Sequence, residues 1–305
     1  FVSISKVEFE NAGGIEKIEV YSKIRVGIIP TGTEVIEPWE DIEPGKIIDS
    51  NSRMLEALVT EYGGVAKRYS PVKDDYDILK KRVESAIDEN DLVIINAGSS
   101  AGREDYTSHI IKELGELLFH GIAIKPGKPT MAGIINGKGI IGIPGYPVSA
   151  YTAFEALAKP LIEINGKAKE NTVVEGILSK RVMSSLKHKE YMRIRLGRVG
   201  NKLIATPLNR GAGVTMSLVR ADGVAVIPKN IEGLEASSKI EVELLKDIAS
   251  VNNTIVSIGS HDIVMDYLAE EIHKNNSTYS LASSHVGNQG GLMATRKKET
   301  HIAPI

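Results

Sequence analysis

Leu92-Val-Ile-Ile-Asn96, followed directly by Ala97-Gly-Ser-Ser-Ala-Gly-Arg-Glu-Asp-Tyr-Thr107, is the stretch that decides the fold. The apolar run reads as a strand buried on both faces, as central strands of parallel sheets are. The Gly/Ser turn hands it over to a helical pattern from Asp105 to about Glu113. A strand that passes through small residues into a helix leaves backbone N–H groups unpaired at the helix start, which suits an anion. The same turn can also serve only as a tight connection.

Outward from this unit, strand and helix patterns alternate from Ile24 to about Ile164. Ile24 to Ile29 reads as the first strand, followed by a helix capped by Asp49 or Ser50 that carries Met54, Leu55, Leu58 and Val59 on one face. Val65 to Tyr69 returns as a strand, and Asp74-Asp75 opens a helix through Ile78, Leu79, Val83 and Ile87. Met131 to Ile135 and Gly139 to Ile143 are joined by Asn136-Gly137-Lys138, a hairpin signal, and a helix from about Val148 to Ile162 follows. The pattern predicts an α/β domain with a mostly parallel sheet and helices on both faces. From about Lys167 to Lys246 the period becomes two, which predicts a small all-β domain. From Thr254 on, strand, helix, strand, short helix and strand follow, the opening of another α/β domain.

The 37 basic and 39 acidic residues nearly cancel, which argues against a nucleic-acid partner, and 42% apolar residues suffice for buried cores. No apolar run has the roughly 20 residues that a membrane-spanning helix needs, so no membrane partner is expected. The absence of cysteine excludes thiolate and disulfide chemistry and fits a cytoplasmic protein. The chain opens without Met and stops after a strand-like run, and it reads as a fragment.

Two further loops add chemistry. Lys125-Pro-Gly-Lys-Pro129 places two ammonium groups three residues apart on a stiff frame, which suits a small dianion, although surface exposure is the usual fate of lysine. Ile143-Pro-Gly-Tyr-Pro-Val-Ser149 ends in a hydroxyl near a helix start, where Ser149 is either a donor to a ligand or an ordinary first-turn residue. Glu34, Asp49, Asp74 and Asp105 fall at or near the carboxyl ends of strands, the ligand crevice of open α/β sheets. A carboxylate beside an anion site can hold a divalent cation, and Asp105 can equally be the cap of its helix.

Thr31-Gly-Thr-Glu34, Asp49-Ser50-Asn51, Gly98 to Thr107, Lys125 to Pro129 and Pro144 to Ser149 together resemble, in order and spacing, the pterin-binding domain of molybdopterin molybdenumtransferases of the MoeA type, related to the gephyrin E domain. Ala97 stands where that family usually has a second Gly, and Tyr146 where Asn is frequent. The β segment is similar to the family's small C-terminal domain. The resemblance implies a remnant of N-terminal domains at residues 1–23, a three-layer molybdopterin-binding domain at 24–164, a β domain at 165–246, and at 254–305 part of a domain similar to periplasmic binding proteins. It implies insertion of molybdate into adenylylated molybdopterin with cleavage of the phosphoanhydride, assisted by Mg²⁺. Asp74, Asp105, Lys125 and Lys128 would be catalytic, with Asp74 and Asp105 holding the metal. Glu34, Asp49, Ser50, Asn51, Gly98, Ser99, Ser100, Gly102, Tyr106, Thr107, Pro144, Pro147, Ser149, Arg193 and Ser217 would bind the pterin, nucleotide and oxyanions. A homodimer of the complete protein and contact with the upstream adenylyltransferase are further implications. The rival readings are that adenylyltransferase itself, which generally lacks the β module, and a non-catalytic scaffold that binds pterin or oxyanion.

Overall fold

A computed structural model describes residues 13–14, 20–96, 106–165 and 171–305. The chain divides into two compact units. The first runs to Ile122 and resumes at Gly127; the second combines Ala123–Pro126 with the described chain from 171 on.

The first unit is built on β1 (Arg25–Pro30), a small parallel ribbon of β2 (Val35–Ile36) and β3 (Ile47–Ile48), β4 (Val65–Arg68), β5 (Leu92–Asn96) and β6 (Glu116–His120). β7 (Ile124–Lys125) belongs to the second unit, and β8 (Met131–Ile135) and β9 (Lys138–Ile143) complete the first. The sheet order is β4-β1-β5-β9-β8-β6, parallel through β9 and antiparallel beyond it. β5 lies in the middle and is buried at every position, as its unbroken apolar run predicts. The expected hairpin joins β8 to β9, with Asn136 (φ 50°) and Gly137 (φ 75°) both left-handed, as a tight two-residue turn between twisted strands requires.

The helices are α1 (Asn51–Glu61), α2 (Tyr76–Glu89), α3 (Tyr106–Leu114) and α4 (Pro147–Ala153); α4 continues through a π turn (Phe154–Ala158) into α5 (Lys159–Ile162). Two cores flank the sheet. Alternate residues Ile29, Val93 and Ile95 pack with Leu79, Val83 and Ile87 of α2 and Ile110 and Ile111 of α3. Val26, Ile28, Leu92 and Ile94 pack with Leu55 and Val59 of α1 and with Ala150 and Phe154. β6 is not expected from the sequence: its residues alternate only weakly, and a register shift between Leu117 and Phe119 breaks its ladder.

In the second unit, β10 (Val173–Leu178), β11 (Val182–Met183), β12 (Lys189–Val199), β13 (Lys202–Pro207), β14 (Gly223–Ile227), β15 (Gly233–Leu234) and β16 (Lys239–Leu244) confirm the period of two. The order β13-β10-β16-β14-β12 is closed by a β12–β13 pairing, which makes a barrel, and β7 adds to β12 in parallel through Ile124↔Lys189 and Lys125↔Glu190. Leu178, Met192, Ile194, Leu196, Ala205 and Val242 fill the barrel. A short helix, α6 (Met216–Arg220), precedes β14. From Thr254, β17 (Thr254–Gly259) and β18 (Ser280–His285) pair in parallel, with α7 (Val264–Asn275) between them and α8 (Gly287–Arg296) after them. The strand expected at His301 to Ile305 is reduced to a bridge between Ser257 and Ile302. Val256, Ile258 and Ala294 share a core with Val199 and Ile204 on the outside of the barrel.

Candidate functional site

In the first unit the order reverses at β1: β4 lies on one side and β5 on the other, so the crevice of an open α/β sheet opens above the carboxyl ends of β1 and β5. The chain ties these ends together. Thr31 N–H donates to Asn96 O at 2.9 Å, and Asn96 Nδ2 donates to Pro144 O at 3.0 Å, joining β1, β5 and the turn after β9. Asn51, at the start of α1, donates from Nδ2 to Gly145 O at 2.5 Å. Asp74 and Thr33 form a reciprocal clasp in which Thr33 N–H donates to Asp74 Oδ2 and Asp74 N–H donates to Thr33 Oγ1, each at 3.2 Å. Asp74 is exposed, and its second carboxylate oxygen has no hydrogen-bond partner among the described residues. Asp75, beside it, caps α2 by accepting from Ile78 N–H at 2.9 Å.

The acids of this rim have different fates. Asp49 is buried and accepts from both the N–H and the hydroxyl of Ser52, with Arg68 Nη1 at 3.5 Å, so its carboxylate closes the first turn of α1. Ser50, the residue between, is exposed and makes no capping bond with its side chain. Arg68 also pairs with the buried Glu37 at 2.8 Å, and that bond, with burial opposing it, raises the Arg68 pKa. Glu34 is half-buried, and its carboxylate folds back over Gly32. Tyr106 packs edge-on against Tyr76 with ring centres 5.7 Å apart, while Thr107 is buried in the first turn of α3. Pro147 occupies the first turn of α4, where a missing N–H costs nothing, and Ser149 is buried behind it. Gly98, Ser99, Ser100, Gly102 and Asp105 lie outside the described residues.

The two lysines of the Pro/Gly loop belong to different units. Lys128 is exposed in the first, and its backbone carbonyl accepts from Ile122 N–H at 2.9 Å. Lys125 lies in β7 of the second unit, 3.8 Å from the buried carboxylate of Glu190. Glu190 also accepts from Ser184 Oγ at 2.9 Å and from Arg210 Nη1 at 2.8 Å. Arg193, three residues along β12, donates from Nε to Ser217 Oγ at 3.0 Å and from Nη2 to Asn209 O at 2.6 Å, so the structure brings together the pair that the sequence set far apart. Its Nη1 is buried without a hydrogen-bond partner among the described residues. Burial lowers the Arg193 pKa; Glu190 opposes that shift and Arg210 adds to it. Lys125 and Arg210 thus flank the buried Glu190 carboxylate, and Arg193 with Ser217 forms a separate pair of donors farther along β12, with charge and hydroxyl suited to a small oxyanion. Sequence reading missed Arg210, Glu190 and Asn96; a polar residue ending a buried strand is the one signal that pointed to Asn96.

Comparison with known proteins follows this division. The probable molybdopterin binding domain family matches residues 27–164, and the MoeA C-terminal region (domain IV) matches residues 175–245. A molybdopterin biosynthesis protein of Methanocaldococcus jannaschii is 39% identical over 241 residues, covering 76% of this chain and 58% of its own length. The molybdopterin molybdenumtransferase of Bacillus subtilis is 30% identical over 239 residues, covering 77% of this chain and 55% of its own. Among solved structures, a molybdopterin biosynthesis MoeA protein from Pyrococcus horikosii superposes with a TM-score of 0.68 at 35% identity, over 80% of this chain and 60% of that one. A molybdenum cofactor biosynthesis protein from Pyrococcus furiosus gives 0.59 at 30% identity, over 79% and 75%. The chain thus spans a little over half the length of the curated relatives it matches, and the two family matches stop short of Thr254. With an open α/β sheet carrying an acidic rim, a barrel carrying a cationic group, and matches to both in the same order, this chain belongs to the MoeA family of molybdopterin biosynthesis proteins.

Proposed function

We propose that the chain carries the working part of a molybdenum insertase, which binds adenylylated molybdopterin and molybdate, inserts the metal into the dithiolene and cleaves the phosphoanhydride. The observation that supports this best is Asp74, held by Thr33 at the switch point with one carboxylate oxygen that makes no hydrogen bond among the described residues. Asn51, Tyr106 and Thr107 would orient the pterin and nucleotide from helix starts, and Ser99, Ser100 and Ser149 would donate hydrogen bonds to oxyanions. Asp49 and Glu34 would shape the rim rather than ligate. Lys128 in the first unit would supply cationic charge to an oxyanion, and so would Lys125 and Arg193 in the second, where Ser217 adds a hydroxyl.

Mg²⁺ fits Asp74, since this metal is usually held through one or two carboxylates with phosphate oxygens completing its shell. Asp105 would be the second ligand, and the bound ion would neutralise phosphate charge. The reading also carries a cytoplasmic homodimer of the complete protein, which receives its pterin from the adenylyltransferase before it. The segment from Thr254 would be a ligand-binding module.

The test uses the complete protein carrying Asp74→Ala or Lys125→Ala. Molybdenum insertion is expected to fall by about 100-fold or more in each, as when a charge-stabilising group is removed from an active site, with circular dichroism unchanged. Normal cofactor yield in both variants would reject the enzyme reading in favour of a scaffold, and adenylyl transfer from ATP would favour the adenylyltransferase.

A further inference from the structure

The outer wall of the barrel holds a second group of donors, which the sites above do not use. Alternation divides β12: Met192, Ile194 and Leu196 face the barrel core, so Arg193, Arg195, Gly197 and Val199 face outward. Thr206 is the direct cross-strand neighbour of Arg195. Ser179 follows the Leu178↔Ala205 pair of the adjoining ladder and donates its N–H to Ala205 O at 2.9 Å, which sets it beside Thr206. Ser179 Oγ in turn lies 2.6 Å from Ser284 Oγ of β18.

These groups have few partners of their own. Thr206 is 1% exposed and its hydroxyl makes no hydrogen bond among the described residues. Arg195 Nε is buried and unpartnered, and among the described residues its guanidinium forms no ion pair. The acid nearest in effect, Asp222, is already engaged: its carboxylate accepts from Leu196 N–H at 2.9 Å and lies 3.7 Å from Lys246 Nζ. Burial accordingly lowers the Arg195 pKa, against an opposing pull from Asp222 and with a small push from Arg220. Of the two serine hydroxyls, one donates to the other, which leaves one proton to give elsewhere. The patch is rich in donors, and its guanidinium has no ion-pair partner among the described residues, an arrangement that water can hydrate but not neutralise.

We propose that Arg195, Thr206 and the Ser179–Ser284 hydroxyl pair form a binding site for a tetrahedral oxyanion, either inorganic or the terminal phosphate of a phosphomonoester. The guanidinium edge matches two oxygens of such an anion, and the hydroxyls meet the others. A planar carboxylate would satisfy the fork and leave the hydroxyls unmet, and a metal cation would be repelled by the guanidinium. Because Ser284 comes from β18, the anion would tie the C-terminal segment to the barrel wall. The site lies wholly within the second unit and stands independently of the insertase reading.

The test is titration calorimetry of the 305-residue chain with sulfate, inorganic phosphate and AMP, together with crystals grown in selenate. Saturable binding is expected, weakened by about tenfold or more in Arg195→Met and Thr206→Val, the loss that goes with one charge-assisted or buried hydrogen bond. Lys239→Met, which removes a surface ammonium paired only with the exposed Glu175, should keep the affinity, and an anomalous selenium peak should lie beside Arg195. AMP binding more tightly than phosphate assigns the phosphomonoester; the reverse assigns the inorganic ion. Absence of saturable binding, equal affinity in Thr206→Val, or a selenium peak only beside Arg193 and Ser217 overturns the proposal. Should Arg195→Met fail to fold, Thr206→Val decides alone, since its hydroxyl has no partner in the fold to lose.

Discussion

At the scale of single residues, burial separates charges that hold the fold from charges that the fold does not need. Glu37 is 4% exposed and meets Arg68 at 2.8 Å and Arg53 at 3.3 Å, so every charge in that group has a partner. Breaking such a pair strands the remaining ion in a poor solvent, and Glu37→Ala should lower stability by about 3 kcal/mol, read as a shift in the urea midpoint. A loss below about 1 kcal/mol would place the pair in the range of solvated surface pairs. Asp74 is the opposite case: it is exposed and clasped at one oxygen only, so Asp74→Ala should leave the midpoint within about 0.5 kcal/mol, as for surface positions. Sequence reading grouped Asp49 with Asp74 because both follow strands. What it could not see is that Ser52 and Arg68 would converge on Asp49 and use it up.

At the scale of elements, β1 and β5 are registered by Arg25 and Asp91 as well as by their ladder. Asp91 accepts from the Arg25 backbone N–H at 2.9 Å and from its guanidinium at 2.9 Å, and this bonding holds the Asp91 pKa below the usual carboxylate value. A carboxylate with a depressed pKa stabilises the fold fully above its unfolded value of about 4 and loses that contribution as pH falls through the lower, folded value. Asp91→Asn should therefore cost up to about 1 kcal/mol at pH 7, given the exposure of the pair, and cost nothing in acid where the native Asp91 is itself protonated; equal losses at both pH values would contradict this. A second test concerns β17 on the barrel. A Cβ added at Gly197 would press on Val256 and come within 3.1 Å of Thr254 O. Gly197→Ala should cost about 1–3 kcal/mol, as overpacking does, with faster amide exchange in β17 and β18 and unchanged exchange in β14 and β16. The elements themselves were largely legible, because β5, the β8–β9 hairpin and the helices announce themselves by local period and turn residues. β6 and β7 were not. β6 has a broken ladder, and β7 is two residues long and takes its shape from Lys189 and Glu190, which lie far along the chain.

At the scale of the whole molecule, the motifs in the sequence marked the loops but not the grouping of their side chains. Lys125 and Lys128 read as one rigid pair, yet the chain passes from one unit to the other and back between Ile122 and Gly127, so each lysine sits among a different set of neighbours. Arg193 and Ser217 read as two loose positions, and the barrel brings them into a hydrogen bond.

That brief excursion of the chain means that the second unit is not encoded by one unbroken run of sequence. A gene fragment beginning near residue 170 would encode a barrel lacking β7: β12 would keep a bare margin at Lys189 and Glu190, and Glu190 would lose the Lys125 ammonium. Supplying residues 123–126 as a separate peptide is a poor remedy, since two ladder pairs cannot repay the entropy of capture. The barrel therefore borrows its finishing stitch from the middle of its neighbour's sequence, and any recombination of these modules has to carry that stitch along.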